Sequence, residues 1–267
     1  MVLSGVLQKM ISEQGTPIKY YLTMENHSIQ LNQLIGKQVS ISHDGYECMG
    51  CKADKKVFRQ GHCYDCFYEL PQLADWVLKP ELSKAHLGIE ERDLEFEKKV
   101  QLQEHIVYLS DSNGLKVGVT RKSQLPTRWI DQGSNCALEV LQTPNRYLAG
   151  KAEVFLKAYY SDKTHWKKML APASSNSSIV LENERQKIDN LLPEDLKPYV
   201  VTATKPTQIQ YPIHNFPEKI NSLNLQKTSE FTGTLLGVKG QYLIFEENRV
   251  FNVRSHEGFK VCFSVKN

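Results

Sequence analysis

Four cysteines form the most specific chemical pattern in the chain. Cys48 and Cys51 are separated by two residues, Cys63 and Cys66 are separated by two more, and eleven residues lie between the pairs. Each pair fits a tight turn that brings two thiolates towards one point, so together they complete a tetrahedral set of sulfur ligands for zinc. Because four thiolates leave no open position on the metal, we expect structural zinc. A redox dithiol, disulfides and a different metal are the alternatives.

The loop between the cysteine pairs is basic, but a zinc ribbon alone does not specify a function. This loop suits contact with phosphate, and a solvated loop would have the same composition. Its cations and its aromatic residue are Lys52, Lys55, Lys56, Phe58 and Arg59.

A second chemical pattern lies in residues 105–120, HIVYLSDSNGLKVGVT, where two apolar runs flank a turn. The length of the turn decides which side chains share a face of the hairpin. A three-residue loop that ends at a left-handed Gly114 pairs Tyr108 with Gly118 and places Lys116 on the same face. A two-residue loop places Tyr108 beside the two flanking valines, as a packing residue only.

The order of the residues in and after this hairpin resembles GIY-YIG nuclease domains. Those domains begin with a hairpin that carries two short motifs, followed by a helix with an essential arginine and a later helix with a metal-binding glutamate. The corresponding residues here are Ile106-Val107-Tyr108, Lys116-Val117-Gly118, Arg128 and Glu153, within a match of about residues 104–160.

The chain departs from that pattern at two motif positions. Ile106 replaces the first glycine, and Lys116 replaces the second tyrosine, as in the compact branch of the superfamily whose second motif is K-[IV]-G. No histidine follows Arg128 as an alternative base.

The resemblance implies a one-metal phosphodiesterase site. It implies that Glu153 holds Mg²⁺ or Mn²⁺, that Arg128 clamps the phosphate, that Tyr108 orients or deprotonates the attacking water, and that Lys116 contacts phosphate. Each residue also has a plain interpretation: Tyr108 as a core aromatic, Lys116 as an exposed strand lysine, Arg128 paired with an aspartate, and Glu153 paired with Lys157.

Charge adds a prediction about partners. Residues 114–170 contain ten Lys or Arg and four Asp or Glu, although the net charge of the whole chain is only +3. A basic segment beside a concave site attracts polyanions, and a solvated face is the plain alternative. We expect DNA or RNA to contact Lys116, Arg121, Lys122, Lys163, Trp166 and Lys167.

The elements that position these residues predict an α+β fold. Both ends are rich in short β runs, which form either two small sheets or, as we favour, one small β-barrel built from both termini. Helices are expected at 70–82, 125–133, 149–162 and 177–196. The expected plan is an N-terminal β region (1–46), a zinc ribbon (47–70), a helical connector (71–103), a GIY-YIG-like core of hairpin plus helices (104–171), a helix with a Pro-rich linker (172–228), and a C-terminal β region (229–267) joined to the first.

The whole chain also resembles a bacterial and archaeal family known only as a domain of unknown function. The residues that carry this resemblance are the ribbon, LKVGVT…RWIDQG, KAEVFL…DKTHWKKML and the final β region. It supports the domain plan and implies no activity.

Composition limits the remaining choices. The chain has 267 residues, is 40% hydrophobic and has no apolar run of membrane-spanning length, and from its first residues we expect no signal peptide. We therefore expect a cytoplasmic protein with no membrane partner. The favoured function is nucleic-acid binding, with nuclease activity left open. The alternative is a zinc-stapled protein-interaction scaffold with no catalytic or nucleic-acid role.

Overall fold

The fold is a mixture of α-helices and several β-sheets, as predicted. It is seen in a computed structural model that describes residues 1–24 and 27–266. The described strands are β1 Val2–Val6, β2 Ile11–Glu13, β3 Lys19–Met24, β4 His27–Gln30, β5 Gln38–Tyr46, β6 His105–Asp111, β7 Leu115–Arg121, β8 Cys136–Thr143, β9 Thr207–Gln208, β10 Asn221–Leu223, β11 Glu230–Lys239, β12 Tyr242–Phe245, β13 Arg249–Asn252 and β14 Phe259–Val265. The described α-helices are α1 Tyr64–Glu69, α2 Leu94–Gln101, α3 Thr127–Asp131, α4 Arg146–Leu156, α5 Trp166–Met169 and α6 Ser177–Leu191.

The chain divides into two compact units. Unit 1 combines Met1–Tyr68 with Gln210–Asn267, and unit 2 is Glu69–Ile209. The zinc-ribbon cysteines belong to unit 1, and the hairpin with Tyr108 and Lys116 belongs to unit 2.

Strands from both ends of the chain pair in unit 1, but the expected barrel is wrong. The main sheet has the order β1-β14-β5-β11-β12-β13-β10, and a separate sheet has the order β2-β3-β4. Among the described residues β1 and β10 are the two outer strands of the main sheet, so that sheet does not close. An open sheet can limit pairing of its edge with other chains if its edge strand is short, and the edge strand β10 has only three residues.

Alternating burial explains how the main sheet of unit 1 forms its core. Along β11 buried residues alternate with partly exposed ones, as expected for a strand with one covered face. The Phe231 ring lies 5.1 Å from that of Phe245 and 5.6 Å from that of Phe251. The His256 ring stacks on Phe251 at 4.4 Å, which completes an aromatic core.

Unit 2 is built on an antiparallel sheet with the order β7-β6-β8-β9. Every residue of β6 is buried, because the strand is central in the sheet. Helices α4 and α6 pack on the sheet, and their buried residues join the strands in one apolar core. The core members include Val107, Leu138, Ala152, Leu181 and Ile188.

Three of the four expected α-helices exist with shifted ends, and the one at 70–82 is wrong. That segment forms three short 3₁₀ turns, Pro71–Leu73, Asp75–Val77 and Pro80–Leu82. Leu70 and Lys79 precede the two prolines and have ψ values of 131° and 84°, outside the helical region. The extended Ala74, with ψ 157°, separates the first two turns, and Lys79 avoids the α conformation because it precedes Pro80.

Within the described parts of the chain, none of the helices has the length and apolar character needed to cross a membrane.

Candidate functional site

The four cysteine sulfurs lie together in unit 1. All four lie within 4.8 Å of one another, and the sulfurs of Cys51 and Cys63 are 4.0 Å apart. Tetrahedral zinc with bonds of about 2.3 Å places its sulfur ligands roughly 3.8 Å apart, so these residues fit a zinc ion. Cys51 is exposed, and the other three cysteines are buried.

Backbone geometry places these sulfurs. The N–H of Cys63 donates to the Cys48 sulfur at 3.2 Å. Burial raises the pKa of the Cys48 thiol, but backbone N–H groups, that of Cys63 first, lower it to about 6 on balance. Gly61 has φ +76°, and a Cβ there would lie 2.3 Å from the Met49 sulfur, so the second turn requires glycine. This environment favours the thiolate of Cys48, the form that binds a metal ion, whereas burial and the neighbouring sulfurs raise the pKa of Cys66.

The hairpin in unit 2 has the register that a functional Tyr108 requires. Tyr108 pairs with Gly118 across β6 and β7, and Ser110 pairs with Lys116, which confirms the three-residue loop. The left-handed residue of the loop is Asn113, with φ 60°, and not Gly114 as expected. Tyr108 and Lys116 therefore share one face of the sheet.

Tyr108 is fully buried, and its ring covers Gly118. A Cβ at Gly118 would lie 2.6 Å from the Tyr108 hydroxyl oxygen, so the tyrosine itself fills the space above this glycine. The hydroxyl donates to Gln132 Oε1 at 2.7 Å. Burial raises the pKa of Tyr108, and the charge of Arg128 acts in the opposite direction. A phenol with a raised pKa stays protonated at neutral pH and so has no free phenolate to accept a proton.

Lys116 is buried, so its interpretation as an exposed strand lysine is wrong. It is only 3% exposed. Its Nζ donates to Gln132 Oε1 at 2.6 Å and to Thr164 Oγ1 at 2.6 Å. Burial lowers the pKa of Lys116 to about 7, and the charge of Arg128 contributes to this, whereas Glu153 opposes it. The amine therefore exchanges a proton near neutral pH.

Arg128 lies at the start of α3, as the sequence predicts. The helix begins just after Pro126 and ends before Gly133, which has φ 67°. Arg128 is half-buried, whereas the next residue, Trp129, is buried with its ring 6.0 Å from that of Tyr108. The guanidinium thus lies close to both Tyr108 and Lys116 and keeps partial access to solvent.

Glu153 lies on α4, whose first turn is capped by Asn145 through a 2.9 Å bond from the N–H of Leu148. The side chain is buried, and one of its oxygens lies 3.6 Å from Lys157 Nζ, so the pairing with Lys157 is confirmed. Burial raises the pKa of Glu153, Lys157 lowers it, and the charge of Glu81 raises it further. Glu153 also acts electrostatically on Tyr108 and Lys116, raising the pKa of both groups.

Glu81 is a second carboxylate beside Glu153. A Cβ at Gly150 of α4 would lie 2.2 Å from the backbone nitrogen of Glu81, so this glycine allows the turn to approach the helix closely. Glu81 Oε2 is buried and has no hydrogen-bond partner among residues 1–24 and 27–266. Glu81 therefore supplies an unpartnered carboxylate oxygen on a residue whose charge acts on Glu153.

The residues predicted to contact nucleic acid fall into two groups. The first group follows Ser161, whose carbonyl accepts a hydrogen bond of 2.8 Å from the N–H of Val117 in β7, next to Lys116. It consists of Lys163 and Lys167, which are exposed, and Trp166, which is half-buried. The second group lies at the far end of β7, about 17 Å along the strand from Lys116. It consists of Arg121 and Lys122, and Lys122 pairs with Glu104 at 3.0 Å.

Three contributing residues were missed from the sequence. Gln132 lies four residues after Arg128, so helical spacing could have placed both on one side of α3. Thr164 and Glu81 are brought in by loop and turn packing, which has no periodic pattern in the sequence.

Fold and cysteine geometry together define an α+β protein with a candidate zinc-binding centre. The chain belongs to the family described as protein of unknown function (DUF2797), whose family model matches residues 36–261. No curated protein and no solved structure matches the chain.

Proposed function

We propose that the chain is a nucleic-acid-binding protein whose unit 2 carries a divalent-metal-dependent phosphodiesterase site. The proposal is supported by the hydrogen bonds of Tyr108 and Lys116 to one oxygen of Gln132, and by the effect of the Arg128 and Glu153 charges on the pKa of both groups. The order of the four predicted residues along the chain is that of GIY-YIG nuclease domains. The proposal therefore assigns a GIY-YIG-like core to unit 2.

Lys116 is the proton acceptor in this proposal. A neutral amine has two N–H bonds and one lone pair, and Lys116 Nζ already has two acceptors, Gln132 and Thr164. Both hydrogens are then used, and the lone pair remains for a proton from the attacking water. A pKa of about 7 matches this role at neutral pH.

Tyr108 is a positioning residue in this account and not the base. Its hydroxyl donates to the same Gln132 oxygen that receives the Lys116 bond, and its ring fixes β6 against Gly118. It therefore holds the acceptor that orients the amine.

Arg128 binds the phosphate, because its N–H groups match two non-bridging oxygens and stabilise charge that develops on them. Glu153 and Glu81 would hold the divalent cation. When bound, that cation would supply positive charge that offsets the negative charge developing in the transition state.

The reaction balances as a simple hydrolysis. Lys116 takes one proton from water, and the water oxygen forms a bond to phosphorus while the bond from phosphorus to the leaving sugar oxygen breaks. The leaving oxygen takes a proton from solvent, and Lys116 releases its proton to solvent afterwards.

We also propose that Cys48, Cys51, Cys63 and Cys66 hold one structural zinc ion. The supporting observation is the fit of the four sulfurs to a tetrahedral ligand set. A closed set of thiolates stabilises a small subdomain and takes no part in hydrolysis.

The test is a panel of labelled single- and double-stranded DNA and RNA, incubated with the zinc-loaded protein with and without Mg²⁺ or Mn²⁺. The proposal predicts retention of at least one nucleic acid at low salt and cleavage only when the divalent cation is added. No retention of any nucleic acid at low salt would contradict it and favour the protein-interaction scaffold.

A further inference from the structure

The zinc ribbon in unit 1 exposes a cluster of aromatic rings that the proposed function does not use. We name Phe58, Tyr64, Phe67 and Tyr68 the aromatic platform. Phe58 is 40% exposed, Tyr64 61% and Tyr68 52%. Large apolar side chains gathered at a surface mark an interaction site more often than single exposed residues do.

The rings contact one another and do not project separately. The ring centroids of Phe58 and Tyr64 are 5.1 Å apart, and those of Tyr64 and Tyr68 are 4.9 Å apart. Phe67 lies 5.5 Å from Phe58 and 5.3 Å from Tyr68. Neighbouring rings limit the rotamers of each side chain, so little further freedom is lost when a flat ligand stacks on them.

The zinc-ribbon sequence explains why the platform faces outward. Tyr64, Phe67 and Tyr68 have the i, i+3, i+4 spacing that places side chains on one side of a helix. Cys66, on the same short helix, lies on the opposite side and is buried with the other sulfurs. One side of α1 therefore carries the cysteine sulfur, and the opposite side carries the exposed aromatic rings.

Arg59 contacts the platform, although over the whole ribbon, 47–70, four Lys or Arg are balanced by four Asp or Glu. The Arg59 guanidinium lies 5.3 Å from the centre of the Phe58 ring and 5.9 Å from that of Phe67. Residues 52–68 contain four Lys or Arg and two Asp, a net charge of 4 − 2 = +2.

The two aspartates do not cancel this charge at the rings. Asp65 pairs with Lys55 at 2.9 Å, and Asp54 pairs with Lys260 at 2.7 Å. Lys56 and Arg59 are exposed and have no ion-pair partner in the described parts of the chain. Their charges remain available to an anionic ligand.

We propose that the aromatic platform is a binding site for single-stranded nucleic acid, with bases stacked on the rings and phosphates on Lys56 and Arg59. Stacking suits every base because each has a π face, and the cations track the backbone. A duplex hides its base faces within its own stack, so the platform selects single strands. This inference goes beyond the proposed function, since it concerns unit 1 and requires no cleavage.

The test measures binding of a fluorescein-labelled oligothymidylate to the full zinc-loaded chain by anisotropy, without Mg²⁺ or Mn²⁺ and without chelator. Tyr64→Ala/Tyr68→Ala is expected to weaken binding about tenfold or more, at unchanged zinc content. Phe216→Ala, which truncates a 38% exposed ring of the same unit, is the matched control and is expected to bind as wild type does.

A second variant separates charge from stacking. Lys56→Gln/Arg59→Gln is expected to reduce the slope of log affinity against log salt by about 1.4, for two lost phosphate contacts. An unlabelled duplex of equal length is expected to compete poorly with the single strand.

Three results would overturn the inference. They are wild-type affinity of the tyrosine variant, equal competition by duplex, and equal competition by polyglutamate, which carries charge without bases. Because cleavage is not measured, none of these results bears on the phosphodiesterase site, and a failure of that site leaves the platform untouched.

Discussion

At the scale of single residues, Lys116 is the side chain on which the chemistry depends most. It is 3% exposed and lies near a second cation, Arg128, and near the carboxylate of Glu153. Burial of a positive charge is unfavourable, so the folded state lowers the pKa of this lysine from 10.5 to about 7. This shift has a measurable consequence for stability.

The sign of that consequence follows from proton binding. Between the folded pKa of about 7 and the unfolded pKa of 10.5, the unfolded chain holds a proton at Lys116 that the folded chain has lost. Stability therefore rises with pH in this window, by about 1.4 kcal/mol per pH unit from this one group. Below the folded pKa both states hold the proton, and the contribution stays constant.

Lys116→Met removes this contribution, so we expect the difference in unfolding free energy between wild type and variant to change with pH. Wild type should gain about 2–3 kcal/mol relative to the variant from about pH 7 to about pH 9. Urea denaturation at several pH values measures it, and Lys163→Met, at an exposed lysine, is the control. Parallel curves for wild type and Lys116→Met would contradict the buried amine.

The sequence named the candidate residues, but it did not predict their burial or their hydrogen-bond partners. The hairpin motifs and the order of Arg128 and Glu153 named the candidate residues, whose role stays a prediction. The burial of Lys116 was not predictable, because it depends on Gln132 and Thr164. Glu81 was also missed, since only the close approach of its turn to Gly150 places it near Glu153.

At the scale of elements, the β6–β7 hairpin is held by the packing of Tyr108 on Gly118. We expect Gly118→Ala to lower the free energy of unfolding by about 1–3 kcal/mol, because its Cβ would force the tyrosine ring to move. Thermal or urea unfolding provides the measurement.

Gly114→Ala is the control within the same hairpin. A Cβ at Gly114 has no atom within 4 Å, and its φ lies outside the left-handed region. This variant should therefore retain wild-type stability. Equal effects of the two substitutions would show that the Tyr108–Gly118 contact does not hold the hairpin.

The sequence predicted an element correctly where residues close together in the chain, such as turn residues, prolines and glycines, determine its structure. Loop length limited the hairpin to two registers, between which the structure decides, and α3 followed from Pro126 and Gly133. The barrel failed because closure depends on which distant strands pair, and short edge strands leave no periodic pattern that determines it. The 70–82 helix, expected to break at Pro80, failed because it is also interrupted at the extended Ala74, which no proline follows.

At the scale of the whole molecule, the two proposed roles belong to different units: zinc binding to unit 1 and phosphodiester hydrolysis to unit 2. If the cysteines hold structural zinc, unit 1 depends on the metal for part of its stability, because a preformed ligand set is lost on unfolding.

We expect Cys63→Ala to release the zinc and to lower the unfolding temperature. Elemental analysis should find about one zinc per wild-type chain and none in the variant. Cys262→Ala, at a half-buried cysteine outside the cluster, should retain both zinc and stability. Equal zinc content in the Cys63→Ala and wild-type chains would contradict the four-sulfur site.

The central claim is that the unit 2 cluster hydrolyses phosphodiesters with Glu153 as a metal ligand, and the most direct measurement compares Mn²⁺-dependent cleavage by three chains. Wild type and Glu182→Gln, which alters an exposed glutamate on α6, should cleave the labelled nucleic acid at equal rates. Glu153→Gln should lose at least a hundredfold in rate while unfolding at the same temperature, because an amide of the same shape binds the cation poorly. Undiminished cleavage by Glu153→Gln, or no Mn²⁺-dependent cleavage by the wild-type chain, would contradict the claim.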